Sequence, residues 1–254
     1  MSRDQSGDRP PRSRGIGATG LVLAMLALCG GLISVPAIVH SIRGLAQRDE
    51  TRTYDMNNFR VVGLAVINQE VMTRRLSPAY ALGPDGEPNR GLSWRVGLLP
   101  YIDDDALNRQ FKLDEAWDSP ANRPLSRTHL PVYGSAADPP DDQTRIRVFV
   151  GPGTPFEDSP EWRRKASVGR IRDGVSNTLL AVETAERVPW AAPQDVPYQP
   201  DGPLPALGHP SRNVVIVLMA DGSVRPLKKP ISPAVLHALI TRDGGEQLPA
   251  NWDQ

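Results

Sequence analysis

The chain has 254 residues, with 29 Lys and Arg against 29 Asp and Glu, so its formal net charge is zero. No basic surplus points to nucleic acid or to anionic lipid headgroups. The 26 prolines and 22 glycines make it rich in loops, yet its aliphatic content is too high for wholesale disorder. The one cysteine, Cys29, excludes an internal disulfide and a thiolate metal site.

Residues 1–15 read as a polar cytoplasmic arm with Arg3, Arg9, Arg12 and Arg14. Residues 16–39 carry no charge over 24 positions. As a helix this stretch is roughly 36 Å long, enough to cross a hydrocarbon core of about 30 Å. It is longer than the apolar region of a cleaved signal peptide, and no Ala-x-Ala follows it. Leu28 stands before Cys29, where a lipoprotein signal needs a small residue. The expectation is an uncleaved transmembrane helix, with the lipid bilayer as its partner. The basic arm places the N-terminus in the cytoplasm and the remaining chain in the periplasm or outside the cell.

Residues 40–76 contain no proline, and Met56, Phe59, Val62 and Val66 recur at helical spacing. This predicts an extended helix with a solvated first half and a second half packed on a sheet. Residues 77–254 then form a soluble α+β domain. Pro78, Gly83-Pro84-Asp85-Gly86 and Pro88 predict a loop over 77–92. Ser93 is placed to cap a helix running to Ile102, a short helix follows over 104–111, and Ser119-Pro120 forms a further cap and first turn. The second half reads as strands over 144–150, 168–171 and 178–182, with a proline loop at 187–208. Residues 213–219 are apolar on both faces, which marks a central strand, and Asp221-Gly222 signals a hairpin into 223–225. Ser232-Pro233 caps a final helix over 234–241, with Leu236, Leu239 and Ile240 facing the core and Gly244-Gly245 ending it. A long helix first and antiparallel strands later is an α+β order.

Five strings carry a family resemblance. They are Asn57-Asn58-Phe59 with Gly63-Leu64-Ala65, the run from Ser93-Trp94-Arg95 to Pro100-Tyr101, and Leu113-Asp114-Glu115-Ala116-Trp117-Asp118-Ser119-Pro120 with Asn122. The others are Asp173-Gly174-Val175-Ser176-Asn177-Thr178 with Glu183, and Asp221-Gly222-Ser223-Val224-Arg225. In this order they resemble the bacterial family known as domain of unknown function 1559, whose N-termini are prepilin-like. The resemblance implies a pilin- or pseudopilin-like domain, a long N-terminal helix packed on an antiparallel sheet, with no established reaction. The chain departs from that family's usual pattern in lacking the prepilin-peptidase signature and the Glu within the span. It also lacks the family's cysteines, with Gly134-Ser135 at the second place. The His-x9-Asp-Gly spacing is stretched to 11 residues between His209 and Asp221.

Candidate chemistry is sparse. His40, His129, His209 and His237 form no metal-ligand motif. His209, on a loop before the hairpin, is expected to hydrogen-bond Asp221 or Glu183 and pin that loop. A triad of Ser176, Glu183 and His209 lacks a nucleophile elbow. Asp103-Asp104-Asp105 with Asp114, Glu115 and Asp118 offers oxygen ligands of the kind calcium takes, without EF-hand spacing. Trp94 and Trp117 are of a type that stacks on sugars or anchors a core. No catalytic, cofactor-binding or metal residue is expected. Trp94, Trp117, Asp173, Gly174, Asn177, Glu183, His209, Asp221 and Gly222 are expected to carry structure. The function expected is that of a single-pass, inner-membrane-anchored, pseudopilin-like structural or interaction protein without catalysis, with protein partners in an envelope assembly and no nucleic acid. The alternative is a membrane-tethered binding module for a glycan, peptide or calcium ion, using the loops 77–92 and 187–208.

Overall fold

A computed structural model describes residues 35–200 and 202–253. Contacts divide the chain into Met1–Gln47 and a compact unit, Arg48–Gln254. The first described element is helix α1, Val35–Thr73. The transmembrane helix expected at 16–39, and the arm before it, lie outside the described residues except for 35–39, which open α1. Among the described residues no helix is long and apolar enough to cross a membrane.

Within the compact unit, α1 buries Phe59, Val62, Ala65 and Val66 in the main core, while Met56 packs there half-buried. That is the face the helical spacing predicts. The helix stops at Thr73 because Arg74 turns into the left-handed region, φ 57°. Gly63 marks the closest approach of α1 to the sheet: a Cβ there would lie 2.6 Å from Leu218 Cδ1.

The stretch 77–92 is not a loop. Strands β1 (Tyr80–Leu82) and β2 (Pro88–Ser93) pair antiparallel across the Gly83-to-Gly86 turn. Proline and glycine hide β2 from propensity, and tertiary bonds hold it. The Asn89 amide donates to the carbonyls of Leu113 and Glu115, both at 2.8 Å, and the Trp117 N–H donates to Gly91 O at 2.8 Å. Ser93 caps α2 (Trp94–Gly97) as expected, its Oγ accepting from the Arg95 N–H. This helix does not reach Ile102. Pro100 has no N–H to continue the α ladder, and a 3-10 turn, Leu99–Tyr101, takes over. Helix α3 covers only Asp105–Asn108. Helix α4 is Arg123–Ser126, so Ser119-Pro120 does not start it; Ser119 Oγ instead closes a turn with the Asn122 N–H.

The strand expected over 144–150 splits into β3 (Gln143–Arg147) and β4 (Phe149–Val150), because the Val148 N–H leaves the ladder for the Asp195 carboxylate. Helix α5 is Pro160–Lys165. The strand expected at 168–171 is a 3-10 turn, Val168–Arg170, capped by Ser167. Strand β5 (Leu179–Pro189) runs into the segment read as a proline loop, which also holds β6 (Val196–Pro197), paired parallel with β4. Strands β7 (Val214–Met219) and β8 (Val224–Lys228) form the predicted hairpin. The chain then enters α6 (Pro233–Ile240), capped by Ser232.

The main sheet is antiparallel in the order β3-β5-β7-β8, so β7 is central. Its alternation has a physical reason. Ile216 and Leu218 join the core beneath α1, whereas Val215, Val217 and Met219 join a second core under α6 with Leu236, Leu239 and Ile240. A sheet covered on both faces needs a strand that is apolar on both. Gly244 and Gly245 do not end α6, which stops at Ile240 with Thr241 extended; their N–H groups bind the Asp173 carboxylate instead.

Candidate functional site

Where α1 meets the entrance to β7, charged side chains gather in the interior. Asp55 on α1, Glu183 on β5 and Arg212 in the loop before β7 have side chains 4%, 2% and 6% exposed, a degree of burial that charged groups reach only when paired. The Arg212 guanidinium joins the two carboxylates, donating to Asp55 Oδ2 and to Glu183 Oε1. Asp55 also accepts from Ser135 Oγ at 2.6 Å and the Ala136 N–H at 2.8 Å. Glu183 accepts from the Ile216 N–H at 3.3 Å and from the main-chain N–H of His209. Burial raises the Glu183 carboxyl above its ordinary value against the opposing pull of Arg212.

A second branch adjoins the first. Arg145 on β3 grips Asp138 with both arms, at 2.7 and 2.9 Å, and reaches the carbonyls of Thr184 and Ala185. His209 Nε2 faces Asp138 Oδ1 at 3.3 Å. Its Nδ1 accepts from the Ser211 N–H and lies 2.7 Å from Ser211 Oγ, so the ring proton sits on Nε2 and is donated to Asp138. Lys229 Nζ donates to the His209 carbonyl at 3.0 Å. His209 therefore pins its loop, but the imidazole does so through Asp138 and not through Asp221 or the Glu183 carboxylate. Arg212 and main-chain N–H groups already occupy Glu183, and Asp221 lies at the other end of β7, about 20 Å away for a strand of this length.

Hydroxyl, imidazole and carboxylate thus stand in the order of a hydrolytic triad, at Ser211, His209 and Asp138. Their surroundings oppose that use. Burial first, then the neighbouring Arg145, lowers the His209 pKa, and Asp138 only partly offsets them. Burial would raise Asp138, but its bonds to Arg145, with Arg187 and His209 nearby, hold it below its ordinary value. The triad of Ser176, Glu183 and His209 is not assembled: among the described residues no contact joins Ser176 to either partner.

The shifted imidazole has a measurable consequence. Below its ordinary value of 6.5 the unfolded chain takes up a proton that folded His209 resists, so stability falls as the pH drops past that point. Glu183 acts in the opposite sense, because its raised carboxyl takes up a proton more readily when folded, which favours folding as the pH falls toward 4.5. Asp138 matters only on further acidification, below 3.8. His209→Gln is expected to flatten the loss between pH 7.5 and 5.5 in a urea-denaturation series. An unchanged slope would show that this imidazole does not titrate between those states.

The Ser93-Trp94-Arg95 string forms a second buried knot. Arg95 is wholly buried and donates to the Ile146 carbonyl through Nε and Nη2, at 2.9 and 2.6 Å, and to Ser93 Oγ at 2.7 Å. It pairs with Asp195 at 2.9 Å. The same carboxylate takes the Trp94 indole N–H at 3.1 Å and the Val148 N–H at 3.0 Å. Trp94 is therefore a core anchor and has no face open to a sugar. Trp117 is half-buried against the same core. Two asparagines of the matched strings bind main chain: Asn58 takes the carbonyls of Pro131 and Gly134, and Asn122 brackets the N–H and C=O of Lys112. Asp173 and Asp221 both serve turns, with Gly174 at φ 94° and Gly222 at φ 80°. Asn177 donates to Asp173 O, and Asp221 accepts from the Ser223 N–H. Sequence reasoning missed Asp55, Arg95, Asp138, Arg145, Asp195 and Arg212. Arg95 lay inside a matched string and was the one within reach; Asp195 gives no signal in its proline loop.

Among the described residues no group of three or more His, Cys, Asp or Glu is placed to hold a metal ion, so the acidic side chains at 103–118 gather no cation site. His129 and His237 bind Asp141 O and the Tyr198 hydroxyl, respectively. One cleft stands apart from both knots. It has a volume of about 310 Å³ and lies between the end of α1, the β1–β2 hairpin and α5, floored by Phe156 and Trp162.

A long helix on an antiparallel sheet, held by buried ion pairs at the helix–sheet junction, makes the compact unit a pilin-like α+β fold. Residues 52–166 match the model of a family described as a protein of unknown function (DUF1559). Three of the five strings fall inside it; those at 173–178 and 221–225, with Glu183 and His209, lie beyond. No curated protein and no solved structure matches the chain.

Proposed function

We propose that this chain is a membrane-anchored, pseudopilin-like structural or interaction protein of the bacterial envelope, without catalysis, whose α1 seats a protein partner. The observation that supports it is the distribution of exposed apolar side chains. Tyr54, Val61, Leu64, Val71 and Met72 are exposed large hydrophobics of α1, with exposures from 42% to 75%. At about 100° per residue they fall within an arc of roughly 100°, beside the buried face. Scattered exposed hydrophobics need no explanation, but a stripe along one helix suits a partner helix. The uncharged segment at 16–39 would hold this helix at the bilayer.

Cross-linking tests this reading. The full chain would carry Cys29→Ser and a single new cysteine at Leu64 or Val71, in intact membranes. The control cysteine replaces Lys228, exposed on β8. The stripe positions are expected to yield at least five-fold more protein adduct than the control. Equal yields would remove the stripe as a docking face. The cleft under the β1–β2 hairpin favours the second reading, a tethered binding module.

A further inference from the structure

We infer that the cleft between the end of α1, the β1–β2 hairpin and α5 is a binding site for an N-acylated apolar carboxylate, the chemistry of a peptide's hydrophobic C-terminal residue. The inference deepens the binding-module reading and is independent of the helix stripe.

Three observations converge. The first is the lining. Leu76, Pro78, Pro88, Pro155, Phe156 and Trp162 are among the apolar residues that make half of the wall, and the Trp162 indole N–H is already committed to Pro155 O at 2.8 Å. At about 310 Å³, the cavity is at the small end of ligand pockets, which run from about 300 to 1,000 Å³. One aromatic or branched side chain with its flanking groups suits a space of that size.

The second is Gln69. The residue lines the cleft, is 9% exposed, and carries a buried side-chain Oε1 with no hydrogen-bond partner. An acceptor in that state costs about 1–3 kcal/mol, and such a group calls for an explanation. A ligand amide N–H is the donor it lacks. Rotation about the last side-chain bond exchanges the oxygen and nitrogen, so the amide can turn its acceptor toward an occupant.

The third is charge. Of the acids in the wall, Glu87 lies 3.6 Å from Arg163, and Glu157 pairs with Arg242 at 2.8 Å. Arg75 and Arg164 line the same cleft and form no ion pair among the described residues. Both are exposed at the rim. The charge that these pairs leave over in the wall is positive, with Arg164 also in the field of Glu161 on α5, and a carboxylate at the mouth would complement it. An apolar side chain, an N–H and a carboxylate in that order describe the last residue of a peptide.

The test is ligand-observed NMR titration of the full-length protein with acetyl-Gly-Gly-Phe, against the same peptide amidated at its C-terminus, with empty micelles as the background. The free acid is expected to bind at least ten-fold more tightly than the amide. Gln69→Leu should weaken both at least ten-fold without lowering the thermal midpoint, since it removes an unpaired buried acceptor. Arg75→Ala with Arg164→Ala should bring acid and amide within two-fold of each other. This second variant keeps the test decisive if Gln69→Leu fails to fold. Absence of binding at millimolar peptide, equal affinity of acid and amide for the parent, or binding indifferent to both variants would overturn the inference. None of these results bears on the cross-linking from Leu64 and Val71, so the two readings fail separately.

Discussion

Arg212→Leu is expected to lower the unfolding free energy by about 3–5 kcal/mol, the penalty for leaving buried charge without its partner. Small domains are stable by about 5–15 kcal/mol in total, so the variant will be close to unfolding at moderate temperature. One guanidinium holds two carboxylates that are otherwise sealed from water, Asp55 on α1 and Glu183 on β5. Without it the two acids repel one another, and each must take up a proton or admit solvent. Two controls separate this account from a simple packing loss. In Arg212→Leu the Glu183 carboxyl loses the cation that opposes its burial, so acidification toward pH 5 should recover part of the lost stability, whereas the parent gains less. Adding Asp55→Asn and Glu183→Gln should bring the chain within about 2 kcal/mol of the parent, because uncharged partners can keep the Ser135, Ala136 and Ile216 bonds. A single variant that loses less than about 1 kcal/mol would mean that this triad does not tie α1 to the sheet.

The sequence made some of this architecture legible and concealed the rest for identifiable reasons. The apolar face of α1, the two-faced strand β7, the Asp221-Gly222 hairpin and the α6 cap all follow from periodicity and turn chemistry, which are local. Strand β2 was invisible because Pro88 and Gly91 argue against a strand and only Asn89, through remote carbonyls, makes one. The break at Val148 is equally remote in origin, since it depends on a carboxylate 47 residues later. Val168 and Ile171 are β-branched and suggest a strand, but Ser167 caps a turn there and, among the described residues, no strand pairs with it. His209 stands out in the sequence as a histidine on a loop before the hairpin. Its acid does not, because Asp138 sits in a Pro/Asp loop that carries no pattern. Local signals name the elements, and the ion pairs that lock them together are long-range by nature.

That separation is sharpest at Arg95. Arg95→Met is expected to cost about 3–5 kcal/mol, comparable to Arg212→Leu, and to act on a particular part of the fold. The guanidinium supplies two bonds to Ile146 O at the end of β3 and neutralises Asp195. Asp195 in turn takes the Val148 N–H that separates β4 from β3, just before β6 begins. With Arg95 gone, Asp195 is a buried anion held only by neutral donors, and the segment carrying it is expected to open toward water. The β4–β6 pairing should loosen first. The amides of Val196 and Tyr198, which donate to Val148 O and Val150 O at 2.9 Å, should exchange with solvent at least ten-fold faster, while those of β7 keep their protection. Asp195→Asn keeps one acceptor oxygen, enough for the Val148 N–H or the Trp94 indole N–H but not both, and strands the cation, so it should also destabilise. The double variant Arg95→Met/Asp195→Asn should lose less than the sum of the singles, by about 0.5–3 kcal/mol. Additive losses, or Val196 and Tyr198 amides exchanging at the parent rate in Arg95→Met, would show that the pair fills space without fastening the proline-rich loop to the sheet.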